Sequence, residues 1–142
     1  MKIAIGSDHA GFLAKQQVIE FLKQEGYEVE DFGTHSQESC DYPVFGRAVG
    51  EAVADGKCQF GCVICSSGEG IMIAANKVKG IRCGMGYNDQ VSALLRQHNN
   101  ANVISFGANF MDIDDIKRRL KISSTTDFLG ERHLRRVNLI EK

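Results

Sequence analysis

Short apolar runs alternate with amphipathic stretches along the whole chain. Lys2-Ile3-Ala4-Ile5-Gly6 reads as a strand, ending in the turn Ser7-Asp8-His9-Ala10-Gly11. Ala14, Val18, Phe21 and Leu22 then recur at helical spacing, and Gly26 closes that helix. Tyr27 to Phe32 alternates as a second strand, and Gly33 to Tyr42 is the longest irregular piece. Asp41-Tyr42-Pro43 opens a second helix, with the one proline in its first turn, where a missing N–H costs nothing. Phe45, Val49, Ala52 and Val53 form its apolar stripe, and Gly56 ends it. Gly61 to Cys65 predicts a third strand and Ile71 to Asn76 a third helix. A fourth strand is expected over Gly80 to Met85, then a helix capped by Asn88-Asp89 with Val91, Leu94 and Leu95 inside. Asn102 to Phe106 predicts a fifth strand, followed by a helix from Asp112 carrying Ile113, Ile116 and Leu120. The remaining stretch, 128–142, is charged and only partly periodic.

Strand and helix alternate without repeats, low-complexity segments or linkers, so residues 1–142 read as one α/β domain. The pattern predicts a doubly wound, five-stranded parallel sheet with helices on both faces. Ligands in such sheets sit beyond the carboxyl ends of the strands, at the point where strand order reverses. If the first and third strands are neighbours there, the turns Asp8-His9 and Cys65-Ser66-Ser67 face each other across one crevice.

The segment Cys65-Ser66-Ser67-Gly68-Glu69-Gly70 carries the most chemistry. Strand, short glycine-containing turn and helix make an anion site, because free N–H groups and the helix dipole both favour negative charge. The same field favours a thiolate at Cys65, able to act as nucleophile or general base. Ser67 is placed to hydrogen-bond that sulfur, and the turn amides to hold an oxyanion. A half-buried cysteine ending a strand, with serines chosen for turn geometry, is the plainer reading of the same spacing. Neither turn carries the G-x-G-x-x-G glycines or the Gly-Lys-Ser/Thr of nucleotide sites, which argues against NAD or ATP.

His98 falls where the fourth helix meets the fifth strand, on the edge opposite the strand tips. To act on a substrate at Cys65 it would have to come from a second subunit. Arg132 and Arg136 lie four apart, one helical turn, a spacing suited to gripping a phosphate.

Composition narrows the field. The formal net charge is −1, with no interleaved basic and aromatic runs, so nucleic acid is not an expected partner. No apolar run approaches a membrane span, and Met1-Lys2 leads directly into a strand, which argues against a signal peptide. Five cysteines without framework spacing read as reduced thiols of a cytoplasmic protein. Cys62 and Cys65 match C-x-x-C, but residues three apart on a strand face opposite ways, so they are not expected to share a metal or a disulfide.

Taken together, the residues resemble the type B ribose-5-phosphate isomerase family, which includes allose- and galactose-6-phosphate isomerases. The likeness runs through Gly6-Ser7-Asp8-His9-Ala10-Gly11, Asp31-Phe32-Gly33-Thr34, Asp41-Tyr42-Pro43 and the Cys65 turn. It continues in Ile73-Ala74-Ala75-Asn76-Lys77, His98-Asn99-Asn100-Ala101-Asn102 and Gly130-Glu131-Arg132-His133 with Arg136-Val137. The resemblance implies a Rossmann-like fold and an aldose–ketose isomerase needing no metal or cofactor. It implies a homodimer or dimer of dimers whose active sites are shared between subunits, acting on a sugar phosphate. Ribose 5-phosphate is the leading substrate, and a six-carbon aldose 6-phosphate the alternative. A non-catalytic phosphate- or nucleotide-binding module on the same sheet is a third reading.

By the same resemblance, Cys65 moves a proton between C2 and C1 through a cis-enediolate. Ser67 supports it, and the backbone of Ser66, Gly68, Glu69 and Gly70 holds the enediolate oxygen. His98, from the partner subunit and beside Asn99, opens the sugar ring. Asp8 and Tyr42 contact substrate hydroxyls or the ring oxygen, and His9, Arg132 and Arg136 take the phosphate.

The turn departs from the usual family pattern, Cys-Gly-Thr-Gly-Ile/Val-Gly. Ser66 replaces a glycine, Ser67 keeps the threonine hydroxyl, and Glu69 replaces an apolar residue. Glu69 is the rival base to Cys65; the glutamate that serves as base in a cysteine-less branch aligns with Ile71 instead. Asn109 stands where many members carry an arginine that assists phosphate binding.

Overall fold

A computed structural model describes all of residues 1–142. Five parallel strands form one sheet: β1 (Lys2–Ser7), β2 (Glu28–Asp31), β3 (Phe60–Cys65), β4 (Cys83–Met85) and β5 (Val103–Gly107). Their order is β2-β1-β3-β5-β4. The chain first winds outward from β1 to β2, then returns to lay β3 on the other side of β1. The order therefore reverses between β1 and β3, whose register pairs Ser7 with Ile64. The expected adjacency holds, and it aligns the two chemically interesting turns.

Alternation along each strand divides the core. Ala4, Val63, Cys65 and Val103 face one side, where α2 (Tyr42–Ala54) and α3 (Glu69–Asn76) cover them with Val49, Ala52, Ile71 and Ala75. Ile3, Ile5, Cys62, Ile64, Ile104 and Phe106 face the other. There α1 (Phe12–Gln24) and α5 (Ile113–Thr125) contribute Val18, Leu22, Ile116 and Leu120, and α4 (Asp89–Gln97) adds Leu95. Cys62 and Cys65 accordingly sit in opposite halves of the core, as strand periodicity requires.

Close contacts explain several glycines on the α2–α3 side. A Cβ at Gly46 would lie 2.8 Å from the Ile71 carbonyl, so the helices touch almost backbone to backbone. On the opposite side Lys15 of α1 is fully buried, and its ammonium donates to both carboxylate oxygens of Asp31 at 2.8 Å. Asp31 Oδ1 also accepts from the Gly33 N–H, so one ion pair ties α1, the end of β2 and the following loop together.

Two expectations change. The fourth strand is only three residues long, because 80–82 serves as its approach: Asn102 accepts from Arg82 N–H and donates to the Gly80 carbonyl. The charged, only partly periodic stretch at the end of the chain holds a sixth helix, α6 (Arg132–Ile140), which buries only His133 and Val137. Leu134, Leu139 and Ile140 on α6 remain exposed. No helix is long and apolar enough to cross a membrane.

Candidate active site

Cys65 ends β3 and is only 5% exposed. The backbone N–H of Gly68 donates to its sulfur at 3.2 Å. Gly68 has φ +83°, a conformation side chains disfavour. A Cβ there would also lie 2.8 Å from the Phe106 backbone, so glycine is required twice over. The Gly68 carbonyl accepts from the buried Ser105 hydroxyl at 2.6 Å, which fixes the peptide from below.

The hydrogen bond expected from Ser67 to the thiol is not made. Ser67 is exposed, and its hydroxyl accepts from the Glu69 N–H at 3.2 Å, closing the turn at the start of α3. The backbone N–H groups of Ser66, Ser67 and Gly70 find no acceptor within the chain. Glu69 is exposed in the first turn of α3, where its carboxylate complements the helix dipole and forms no ion pair. The turn thus joins a sulfur to unpaired backbone donors.

The β1 turn faces this one. Asp8 is 6% exposed; Oδ1 accepts from the Gly11 N–H, and Oδ2 has no partner in the chain. His9 Nδ1 accepts the Cys40 N–H at 3.2 Å, which places the ring proton on Nε2 and leaves that edge free to donate. Tyr42, the first residue of α2, packs its ring over Gly70: a Cβ at Gly70 would come 2.6 Å from it. The tyrosine is 40% exposed and its hydroxyl has no partner in the chain. Asp8, His9, Tyr42 and residues 65–70 therefore gather at one end of the sheet.

His98, Asn99, Arg132 and Arg136 do not join them. His98 caps the C-terminus of α4, just before β5 begins, whereas Cys65 pairs with Gly107 where β5 ends. A strand rises about 3.3 Å per residue, so the two lie on opposite edges of the sheet, more than about 13 Å apart. At that far edge the His98 and His133 rings stack, with centroids 4.3 Å apart and planes 12° from parallel. His133 Nε2 is buried without a partner. Burial depresses the basicity of His133, with His98, Arg132 and Arg136 adding repulsion. Arg132 and Arg136 are exposed and form no ion pair.

Sequence reasoning missed what holds this second cluster. Asn100 takes φ +48°, tolerable for asparagine, and its carbonyl accepts from Arg82 Nε. Arg96 donates to Asn100 Oδ1 and to the Ala101 carbonyl. A cavity of about 500 Å³ lies here, between Asn76, Arg82, Leu95, Asn99 and Ile140. Only the asparagine-rich run 98–102 hinted at this framework.

Three of the other thiols are held in their neutral form by their surroundings. Burial pushes Cys62 and Cys83 far up, and burial together with Glu30 raises Cys58. Nor is any group of three or more His, Cys, Asp or Glu placed to hold a metal ion.

Two departures from the family pattern meet. Asn109 Nδ2 donates to Ser66 Oγ at 2.7 Å, and the Asn109 N–H donates to the Ser66 carbonyl at 3.1 Å. Asn109 is thus bound into the turn of its own chain.

Comparison with known proteins shows the family and the fold. Ribose-5-phosphate isomerase B of Escherichia coli (strain K12) is 42% identical over 98% of this chain and 93% of its own. The solved ribose-5-phosphate isomerase B of Clostridium thermocellum superposes with a TM-score of 0.98 at 47% identity, covering 99% of this chain and 95% of that one. The Mycoplasma genitalium ribose-5-phosphate isomerase B, solved with bound ribulose-5-phosphate, gives a TM-score of 0.93 at 34% identity over 99% and 93% of the two chains. The family model described as Ribose/Galactose Isomerase matches residues 3–140. The chain belongs to the ribose/galactose isomerase family.

Proposed function

We propose that this protein is an aldose–ketose isomerase interconverting ribose 5-phosphate and ribulose 5-phosphate, with Cys65 as the mobile base. The carrying observation is the Cys65 sulfur, held by the Gly68 N–H within a turn that also presents unpaired amides. Moving a proton between adjacent carbons needs one base, charge stabilisation at two oxygens, and a grip on the distant phosphate. The Cys65 thiolate takes the C2 proton, and charge passes to the C1 oxygen of a cis-enediolate. The hydroxyl proton then passes from O2 to O1, and sulfur returns its proton to C1. The Gly68 and Glu69 N–H groups, expected to hold the charged oxygen, are taken by Cys65 Sγ and Ser67 Oγ, so that role falls to the amides of Ser66, Ser67 and Gly70, and Ser67 supports Cys65 indirectly by closing the turn. Asp8 Oδ2 and the Tyr42 hydroxyl, both unpaired, are placed for substrate hydroxyls, and His9 Nε2 for the phosphate.

The remaining parts come from a second copy. His98 of the partner subunit moves the proton between the C1 hydroxyl and the ring oxygen, with Asn99 beside it. Arg132 and Arg136 of the partner subunit complete the phosphate site with His9. Three features support this sharing: the residues lie on the wrong edge within one chain, the arginines are unpaired, and α6 keeps Leu134, Leu139 and Ile140 exposed. The same pairing permits a homodimer or a dimer of dimers. Five free cysteines fit the reducing cytoplasm.

The test is turnover of ribose 5-phosphate beside allose 6-phosphate. The expected preference is for the pentose, with Cys65→Ala lowering kcat by about a thousandfold, within the usual range for a lost general base. A Cys65→Ala variant keeping most activity would move the base to Glu69. Activity on the hexose alone would reassign the substrate, and activity on neither would leave a binding module.

A further inference from the structure

The sulfur of Cys65 is only as well placed as the turn that follows it, and that turn is moulded by the end of β5. Ala108 N–H donates to the Cys65 carbonyl at 2.9 Å and Asn109 N–H to the Ser66 carbonyl at 3.1 Å. Gly107 lies so close to the Ser67 carbonyl that no side chain could stand there. Ser105 holds the Gly68 carbonyl at 2.6 Å. Every one of these contacts is made by backbone or by a buried residue, except one. That one is Asn109 Nδ2 to Ser66 Oγ, 2.7 Å, between residues 43 apart in sequence.

We propose that Asn109, acting through Ser66, is a positioning residue for Cys65 and for the oxyanion-binding amides of its turn. The chemistry gives the bond a direction. An amide NH2 can only donate, so Ser66 Oγ is the acceptor and keeps its own proton for a second partner. A hydroxyl that accepts one bond donates the next more strongly. Asn109 therefore pins Ser66 beside Cys65 and leaves the Ser66 hydroxyl able to donate to the enediolate along with the amides. A turn that shifts by a fraction of an ångström loses both the sulfur geometry and the donors, which is felt in the chemical step rather than in binding.

The inference rests on the isomerase reading above, so its test carries a readout that does not. Asn109→Ala, Ser66→Ala and the double variant are compared for kcat and KM on ribose 5-phosphate, and for the rate of Cys65 alkylation by iodoacetamide. Asn109→Ala keeps the backbone bond to the Ser66 carbonyl, and melting temperatures confirm that each variant folds. Asn109→Ala is expected to lower kcat about tenfold, the worth of one hydrogen bond in the transition state, and Ser66→Ala at least as much because it also removes the hydroxyl, with KM changed less than about twofold in both. The double variant should be no worse than Ser66→Ala, because the Asn109 side chain acts only through that hydroxyl. The alkylation rate should change in parallel in all three. Losses that multiply in the double variant, or a rise in KM with kcat intact, would overturn the proposal. If wild-type protein proves inactive on the sugar, the isomerase reading fails, and the alkylation series alone still decides whether Asn109 and Ser66 act on Cys65 as one unit.

Discussion

At the scale of single residues, the site separates groups that do chemistry from groups that hold them. The position of Cys65 was legible in the sequence because an apolar run, a glycine-containing turn and a helical stretch in that order put it at a strand's end. What Ser67 bonds was not, since two serines in a five-residue turn offer several equivalent patterns and only the φ of Gly68 selects one. Likewise the stacking of His98 on His133 joins residues whose sequence positions give no hint of contact. That stack has a consequence for stability. Burial, His98, Arg132 and Arg136 hold the basicity of His133 below its ordinary value of 6.5, with Glu131 opposing weakly. The unfolded chain therefore takes up this proton first as pH falls. His133 contributes full stability above about pH 6.5 and loses it as pH drops below that value towards its folded-state value. Urea midpoints at about pH 7.5 and 5.5 should converge in His133→Asn relative to wild type. An unchanged pH dependence in the variant would show that His133 is not the group responsible.

At the scale of elements, periodicity located the strands and the first five helices; α1, α2, α3 and α5 bury apolar residues against the sheet, whereas α4 buries only Ser92 and, of its expected face, packs Leu95 against the core. At β4 it overran: the strand forms over Cys83–Met85, while residues 80–82 before it are held by the Asn102 side chain. It also failed at α6, where only His133 and Val137 are buried, so the apolar stripe that marks a helix is divided between interior and surface. The staple between α1 and β2 was equally invisible, because a lysine in an amphipathic helix reads as solvated. Lys15 is fully buried whereas the Asp31 side chain retains 28% exposure, and this asymmetry gives a prediction. Asp31→Asn strands a buried ammonium and should cost about 3 kcal/mol in denaturant unfolding. Lys15→Met leaves a carboxylate that water can still reach and should cost less. The reverse ranking would mean that the pair is not the main contribution of either residue.

On the scale of the whole molecule, one chain places the two groups of proposed site residues on opposite edges of its sheet. Cys65, its turn, Asp8, His9 and Tyr42 stand at the switch point between β1 and β3. His98, Arg132 and Arg136 stand beyond the other ends of the strands, partly on a helix whose outer face is unpartnered. The sequence order of strand tips and helix ends already implied this separation, since a residue preceding a parallel strand cannot sit beside one that follows it. Joining the halves between two copies is the central claim, and complementation tests it most directly. Cys65→Ala and the double variant Arg132→Ala/Arg136→Ala are each expected to be nearly inactive on ribose 5-phosphate. Co-expressed with different tags, half of randomly formed dimers contain one of each chain. In such a dimer one of the two sites is fully wild type, so the mixture should recover about one quarter of wild-type activity. A mixture no more active than the separate variants would contradict the shared site and return every catalytic group to a single chain.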